Sequence, residues 1–452
     1  MKVVKFGGSS LASATQFKKV HDIVLEDTDR HYVVPSAPGK RNKEDTKVTD
    51  LLILAYSHHN KDDFEEIYDR IKERYNEIIA ELGLDISLEE DFKKIKEEIK
   101  KQNSFDYTIS RGEYLNGKVL ASYLGFDFID AADVIYIDKH GRYDEKKTDA
   151  ALTKALSEHD YAVVPGFYGQ LNDESGRIKA FSRGGSDVTG SIVAKCACAD
   201  LYENWTDVSG FLIADPRIVK DPKPIATITY KELRELSYIP FHELRELAYM
   251  GASVLHQNSI FPVRNEGIPI LIKNTNSPED AGTLIVESTC HKPDHVITGI
   301  AGKTGFATVM IEKDMMNSEI GFGRKVLQVF EEHGLSFEHM PSGIDTMTII
   351  VNSDDFIEKE QAILAGLHRA VQPDYIVLES DLALIAVVGR GMKDSRGTSA
   401  RVFKALAKEN INVKMIDQGS SELNIIVGVR NCYFKPAIKA IYDEFITSED
   451  DE

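Results

Sequence analysis

The chain has 452 residues, a formal net charge of −19, 42% hydrophobic and 28% charged residues. That length is too great for one core, so two or more domains are expected, and the composition is that of soluble globular chains. The negative charge repels nucleic acid and anionic membrane, no apolar run is long enough to span a bilayer, and the N-terminus runs straight into a strand without a signal peptide, so a cytoplasmic protein with neither partner is expected.

In chain order, residues 1–10 read as a strand that breaks into Gly7-Gly8-Ser9-Ser10, a glycine turn with Lys5 just before it. A second strand covers Val33-Val34 and ends at Pro35-Ser36, where proline belongs at a sheet edge or just past the hydrogen-bonded ladder. Thr49 stands as a candidate helix cap. Phe64, Ile67, Ile71, Tyr75, Ile78 and Leu82 keep helical spacing across 61–83; Leu88, Phe92, Ile95 and Ile99 mark a further helix whose charged face is solvated. Residues 105–109 read as a strand, and Ser110-Arg111-Gly112-Glu113 as the opening of a helix that reaches Leu124. Gly112 to Lys118 imitates a P-loop, but Val119 stands where a Mg²⁺-ligating hydroxyl is required, and the intervening residues read as helix, so that reading is rejected.

Short strands are expected at 126–130, 134–137, 160–167, 178–181 and 201–208, and a small-residue helix at 188–199. Cys196 and Cys198 fall in that helix and are expected to be buried thiols; with Cys290 and Cys432 they supply no metal cluster. Strands alternating with helices argue a mostly parallel sheet with helices on both faces, whose ligands sit at the carboxyl ends of the strands. Glu232-Leu233-Arg234-Glu235-Leu236-Ser237-Tyr238 is nearly repeated as Glu243-Leu244-Arg245-Glu246-Leu247-Ala248-Tyr249, with Pro240 between, and this repeat has no functional reading. A strand at 268–272 and a polar turn at 274–282 lead to a domain boundary near 286–296.

Two glycine loops carry the functional argument. Phe181-Ser182-Arg183-Gly184-Gly185-Ser186-Asp187 feeds a helix N-terminus, where free N–H groups and the positive dipole end suit an anion. Alone it reads as a surface turn. Paired with Lys5 and its own glycine turn, it suggests two sides of one polyphosphate. Beyond residue 296 the chain repeats with an offset of 76 residues: Met316 with Met392, Gly321 with Gly397, Gly343 with Gly419, and Ile349-Ile350-Val351 with Ile425-Ile426-Val427. Each repeat reads as strand, turn, helix, strand, strand.

Lys5-Phe6-Gly7-Gly8-Ser9-Ser10, Arg183-Gly184-Gly185-Ser186-Asp187, Trp205-Thr206-Asp207-Val208 and Ala214-Asp215-Pro216-Arg217 together resemble the aspartokinases of the amino-acid kinase family, and the likeness runs the length of the chain. The C-terminal repeats resemble a tandem pair of ferredoxin-like ACT modules, which bind amino acids and support dimers. The resemblance implies a kinase domain over 1–290 and ACT domains over 291–376 and 377–452, with strands that can interleave between the two. It implies MgATP-dependent phosphorylation of the β-carboxylate of L-aspartate, the first step toward lysine, threonine and methionine. It assigns Lys5 and Asp187 to catalysis, Ser36, Thr49, Glu113, Arg183 and Ser186 to aspartate, and Lys5, Gly7, Gly8, Ser9, Thr206, Asp207, Arg217, Ser253 and Val254 to ATP. From sequence alone Thr49 reads equally as an N-cap, and Glu113 as a carboxylate complementing the helix dipole.

Ser253 stands where many aspartokinases carry lysine, and Leu212 where an aromatic residue is usual, which leaves nucleotide packing open at both points. Met316, Gly321, Phe322, Ser336, Phe337, Glu338 and Ser342 align with the lysine-binding region of lysine-sensitive members, implying feedback inhibition by lysine, with threonine as a second effector, in an ACT-mediated dimer or dimer of dimers. A homoserine dehydrogenase segment is not expected. The rival readings are a kinase of the same fold with another acceptor, and a non-catalytic amino-acid sensor.

Overall fold

The computed structural model describes residues 1–173, 175–181, 184–238, 257–290 and 293–447. The described residues fall into two compact units, one of 1–211, 226–229 and 257–288, the other of 212–225, 230–238 and 289–447. The strands of the first unit are β1 (Lys2–Phe6), β2 (Arg30–Pro35), β3 (Asp127–Phe128), β4 (Tyr136–Ile137), β5 (Ala162–Val163), β6 (Tyr168–Leu171), β7 (Ile178–Ala180), β8 (Leu201–Thr206), β9 (Thr227–Thr229), β10 (Ile270–Asn274) and β11 (Thr283–Val286).

Eight of them form one sheet in the order β3-β5-β2-β1-β8-β10-β11-β9, parallel throughout except between β10 and β11. Val3, Val4, Phe6, Val33 and Val34 are all 0% exposed, as a parallel sheet covered on both faces requires. Val4 and Phe6 enter a cluster with α1 (Ala14–Glu26), α2 (Val48–Ser57), α3 (Phe64–Leu82), α4 (Glu89–Lys100) and α5 (Phe105–Leu124). Side chains alternate along a strand, so Lys5 turns to the other face. There, beyond α6 (Ala131–Val134) and α7 (Glu145–Ser157), lies α8 (Gly185–Cys196). Gly190 lets α8 rest on β8, because a Cβ there would fall 2.3 Å from the Tyr202 hydroxyl. Strands β4, β6 and β7 make a small second sheet whose hairpin delivers the chain to the second glycine loop.

Several expectations need correction. Residues 105–109 are helix, not strand: Ser104 caps α5 by accepting from the Tyr107 N–H at 3.1 Å, which outweighs the β-leaning run of aromatic and β-branched side chains. Glu113 therefore lies well inside α5, not at its start. Thr49 does not cap α2; Lys47 holds that position and makes no side-chain cap bond. Val134 closes a short helix. Cys198 lies just past α8 with φ 50°, exposed, while Cys196 is buried as expected. Pro35 is the last residue of a central strand, opposite Phe6, where its missing N–H breaks no ladder. The second copy of the 232–249 repeat lies outside the described residues.

The second unit contains α9 (Tyr230–Tyr238), while α10 (Gln257–Asn265) belongs to the first. From residue 299 the second unit runs β12 (Gly299–Glu312), α11 (Phe322–Glu332), β13 (Thr346–Asn352), α12 (Ser353–Ile357), α13 (Glu360–Val371), β14 (Tyr375–Val388), α14 (Thr398–Lys408), β15 (Met415–Asp417), β16 (Asn424–Val429) and α15 (Phe434–Tyr442). One antiparallel sheet carries both repeats, in the order β13-β12-β14-β16-β15. The long strands β12 and β14 are shared. Phe306–Glu312 pairs with β13 and with the first half of β14, whereas Gly299–Lys303 pairs with the second half of β14, which also pairs with β16. The register shifts between Lys303 and Phe306 mark the change of module. Gly321 and Gly397 open α11 and α14 in the same left-handed conformation, φ 81° and 84°, so the repeat in sequence is a repeat in backbone. Helices α13 and α15, which follow the last strand of each repeat, complete two ferredoxin-like α/β modules.

Candidate active site

The register of β1 against β8 places Lys5 beside Asn204. The Lys5 ammonium is 2.6 Å from Asp187 Oδ1, in the first turn of α8, and 3.4 Å from Asn204 Oδ1. Asn204 Nδ2 donates to the same Asp187 oxygen at 3.0 Å, closing a three-membered polar cluster. Lys5 is 7% exposed and Asn204 fully buried, so the ammonium is held in place by its partners and little screened by solvent. The turn before α8 depends on glycine: Gly184 has φ 57°, and a Cβ on Gly185 would lie 2.4 Å from the Phe167 ring. A cation backed by a carboxylate, next to a helix N-terminus at the carboxyl ends of parallel strands, suits a transferring phosphoryl group.

The loop after β2 is the hub of the site. The Ser36 N–H donates to the Phe6 carbonyl at 3.0 Å, the Gly39 N–H to the Gly8 carbonyl at 2.8 Å, and the Val48 N–H at the start of α2 to the Pro38 carbonyl at 3.2 Å. Gly8 and Gly39 meet backbone to backbone; a Cβ on Gly8 would lie 2.8 Å from the Ala37 carbonyl oxygen. Arg74, 4% exposed on α3, fastens the loop by donating to the Gly39 carbonyl at 3.0 Å while it is paired with Asp45. Gly7 follows β1 with its N–H on the Trp205 carbonyl at 3.0 Å, and Ser9 lies in the 3-10 turn that follows. Thr49 is half-buried in the first turn of α2, and Ser186 is 9% exposed in the first turn of α8.

Two α5 side chains face this loop. Glu113 is 6% exposed, and burial pushes its carboxyl up to about 8, against the pull of the Ala37 N–H, its own N–H and the Arg111 charge. Asn116, fully buried one turn later, donates from Nδ2 to the Ser36 carbonyl at 2.7 Å. Arg111 points into the rings of Tyr107, Tyr114 and Tyr168, 4.5–5.0 Å from their centres. The structure thus joins Lys5, Gly7, Gly8, Ser36, Glu113 and Asp187 into one network. Asn204, Asn116 and Arg74, which sequence reasoning missed, complete it.

Thr206 is the last residue of β8 and Asp207 follows it, and the Thr206 hydroxyl donates to Asp207 Oδ1 at 3.2 Å. Arg217 belongs to the second unit, where it pairs with Asp215 at 2.7 Å. Arg183, Ser253 and Val254 lie outside the described residues. Of the expected effector residues, Met316 and Phe322 are buried in the core of the first ACT-like module, whereas Gly321, Ser336, Phe337 and Ser342 are exposed. Glu338 is half-buried, its backbone N–H on the Ile350 carbonyl at 2.8 Å. Glu319 is tied to Lys313 at 2.5 Å and Lys325 at 2.7 Å, and these hydrogen bonds hold its carboxyl below the usual range.

The amino acid kinase family matches residues 1–274, and the ACT domain family matches residues 385–445. Aspartokinase 3 of Bacillus subtilis is 40% identical, with 98% of each chain covered. Among solved structures, the aspartate kinase of Clostridium acetobutylicum, described as an allosteric enzyme, is 50% identical with a TM-score of 0.88, covering 98% of this chain and 99% of that one. E. coli aspartokinase III, solved in complex with aspartate and ADP and in complex with lysine and aspartate, shares the fold at 23% identity and a TM-score of 0.72; 98–99% of this chain and 99% of that one are covered. The chain therefore belongs to the amino acid kinase family and, within it, to the aspartokinases, the ATP-dependent kinases of aspartate.

Proposed function

We propose that the chain transfers the γ-phosphoryl group of MgATP to the β-carboxylate of L-aspartate, giving 4-phospho-L-aspartate and ADP. The observation that carries this reading is the Lys5–Asp187–Asn204 cluster, with Lys5 and Asn204 buried and Asp187 half-buried, at the carboxyl ends of β1 and β8. The acceptor is already an anion, so no general base is needed; the barrier lies in bringing a carboxylate in line with a polyanion. Lys5 neutralises charge on the phosphoryl group as it moves, and Asp187 and Asn204 fix its position. Gly7, Gly8 and Ser9 offer backbone N–H groups, and Thr206, Asp207, Arg217, Ser253 and Val254 serve the nucleotide. Mg²⁺ would enter with ATP and offset the charge of its phosphates, and Asp187 and Asp207 are the carboxylates that would hold it.

Aspartate is held by Ser36, Thr49, Glu113, Arg183 and Ser186, with the Arg183 fork on its α-carboxylate. Residues 1–290 form the catalytic domain and 291–376 and 377–452 the ACT domains, with strands interleaving between the two, and the chain dimerises through them. Lysine, with threonine as a second effector, inhibits through Met316, Gly321, Phe322, Ser336, Phe337, Glu338 and Ser342. The E. coli complexes with aspartate and ADP, and with lysine and aspartate, support both halves of this reading. The test is ADP release with MgATP and L-aspartate, with and without lysine, alongside Lys5→Ala. Aspartate-dependent turnover, suppressed by lysine and reduced about 10²–10³-fold in Lys5→Ala, is expected. Turnover only with a different acid would keep the fold and overturn the acceptor.

A further inference from the structure

Glu113 and Asn116 stand three residues apart on α5 and share one helical face. Both address consecutive residues of the loop after β2: the Ala37 N–H faces the Glu113 carboxyl, and Asn116 Nδ2 donates to the Ser36 carbonyl at 2.7 Å. Each also keeps one buried oxygen, Glu113 Oε2 and Asn116 Oδ1, that meets no hydrogen-bond donor among the described residues. The orientation of the Asn116 amide is fixed by chemistry. The Ser36 carbonyl can only accept, so the NH₂ must face it and the acceptor oxygen is left over. Buried acceptors are nearly always paired, and two on one face beside a substrate site point to a ligand group rich in donors.

We infer that Asn116 Oδ1, together with the Glu113 carboxylate, receives the α-ammonium of the amino-acid substrate, which makes Asn116 a selectivity residue for acceptors that carry a cationic nitrogen. This rests on the aspartate reading above. An ammonium offers three donors and no acceptor, so a carboxylate and an amide oxygen can both be satisfied by it. A dicarboxylate without the amino group would leave both unpaired, which a site built on hydrogen bonds rejects strongly.

The test is steady-state kinetics on the full chain with Asn116→Ala and Asn116→Ser, using L-aspartate as substrate and succinate as a competitive inhibitor that lacks the ammonium. In both variants the KM for aspartate is expected to rise about tenfold or more, as loss of a hydrogen bond to a charged group implies, while kcat and the KM for ATP stay within about twofold and inhibition by succinate does not weaken. An aspartate KM that does not move, or one that moves in parallel with succinate inhibition, overturns the inference and leaves Asn116 as a brace for the Ser36 loop. Should neither variant fold, a crystal structure of the wild-type chain with aspartate decides: the amino nitrogen lies within about 3.2 Å of Asn116 Oδ1 or the inference is wrong. Absence of wild-type turnover with aspartate would instead remove the parent reading.

Discussion

Glu113, in the aspartate-binding role proposed above, would tie that site to pH. Burial raises its carboxyl from 4.5 to about 8 in the folded chain. Between those values the folded chain holds a proton that the unfolded chain has released. Its contribution to stability is therefore complete below pH 4.5 and is lost as pH rises through about 8. A substrate ammonium reverses the preference, because it favours the carboxylate. In the free enzyme, kcat/KM for aspartate is accordingly expected to rise along a limb centred near pH 8, and Glu113→Gln should flatten that limb while lowering the maximum. A pH profile identical in the two proteins would remove Glu113 from substrate binding. At Asp187 the expectation differs: Asp187→Asn keeps the shape beside Lys5 but removes the opposing charge, so kcat should fall about 10²-fold with an unchanged circular dichroism spectrum. Lys5 and Asp187 were legible because each borders a glycine turn. Asn204, Asn116 and Arg74 were not, since they reach the site through strand register and helix packing, which leave no local pattern in the sequence.

Among the elements, the loop after β2 depends on two glycines facing each other. A Cβ on Gly39 would lie 2.6–2.8 Å from the carbonyl carbon and oxygen of Gly8 and the Ser9 nitrogen, all backbone atoms that cannot rotate away. Gly39→Ala is therefore expected to push the Gly7-Gly8-Ser9 turn outward, destabilising the chain by about 1–3 kcal/mol. The same shift should reduce kcat/KM for ATP up to about 10²-fold, since small displacements of a positioning element are costly. Thermal melting and initial rates at varied ATP check both. Gly83, also a glycine but with open space around it, is the control: Gly83→Asn should leave ATP kinetics alone. The helices of 61–100 were legible from spacing because their apolar faces meet one core. Helix α5 was misread at its start because the one deciding residue, Ser104, acts through its cap and not through periodicity. Two-residue strands such as β3 and β4 are too short to show alternation at all.

At the scale of the whole molecule, the 76-residue offset disclosed two modules, but not that β12 and β14 each serve both. Pairing partners of a long strand are set by tertiary contact, which an internal repeat does not encode. The Glu232–Tyr238 repeat gains a physical account from the same unit. Glu232, fully buried on α9, accepts from the Thr298 hydroxyl at 2.6 Å and the Arg390 N–H at 2.8 Å, and pairs with the Arg390 guanidinium at 3.1 Å. Glu235, on the same face, accepts from Asn424 at 2.5 Å. The first copy thus clamps α9 to the starts of β12 and β16 and to the turn after β14. Breaking a buried pair from one side is severe, so Glu232→Ala should cost about 3–5 kcal/mol, whereas Glu235→Gln, half-buried and keeping an amide oxygen, should cost about 1 kcal/mol. Two units need not melt together, so amide hydrogen exchange resolved to β14 and β16 is the appropriate measure. Faster exchange there in Glu232→Ala, with β1 and β8 unaffected, is the expected pattern. Equal acceleration in the two variants would mean that Glu232 is not the clamp and that α9 is held by its apolar residues Leu233 and Leu236.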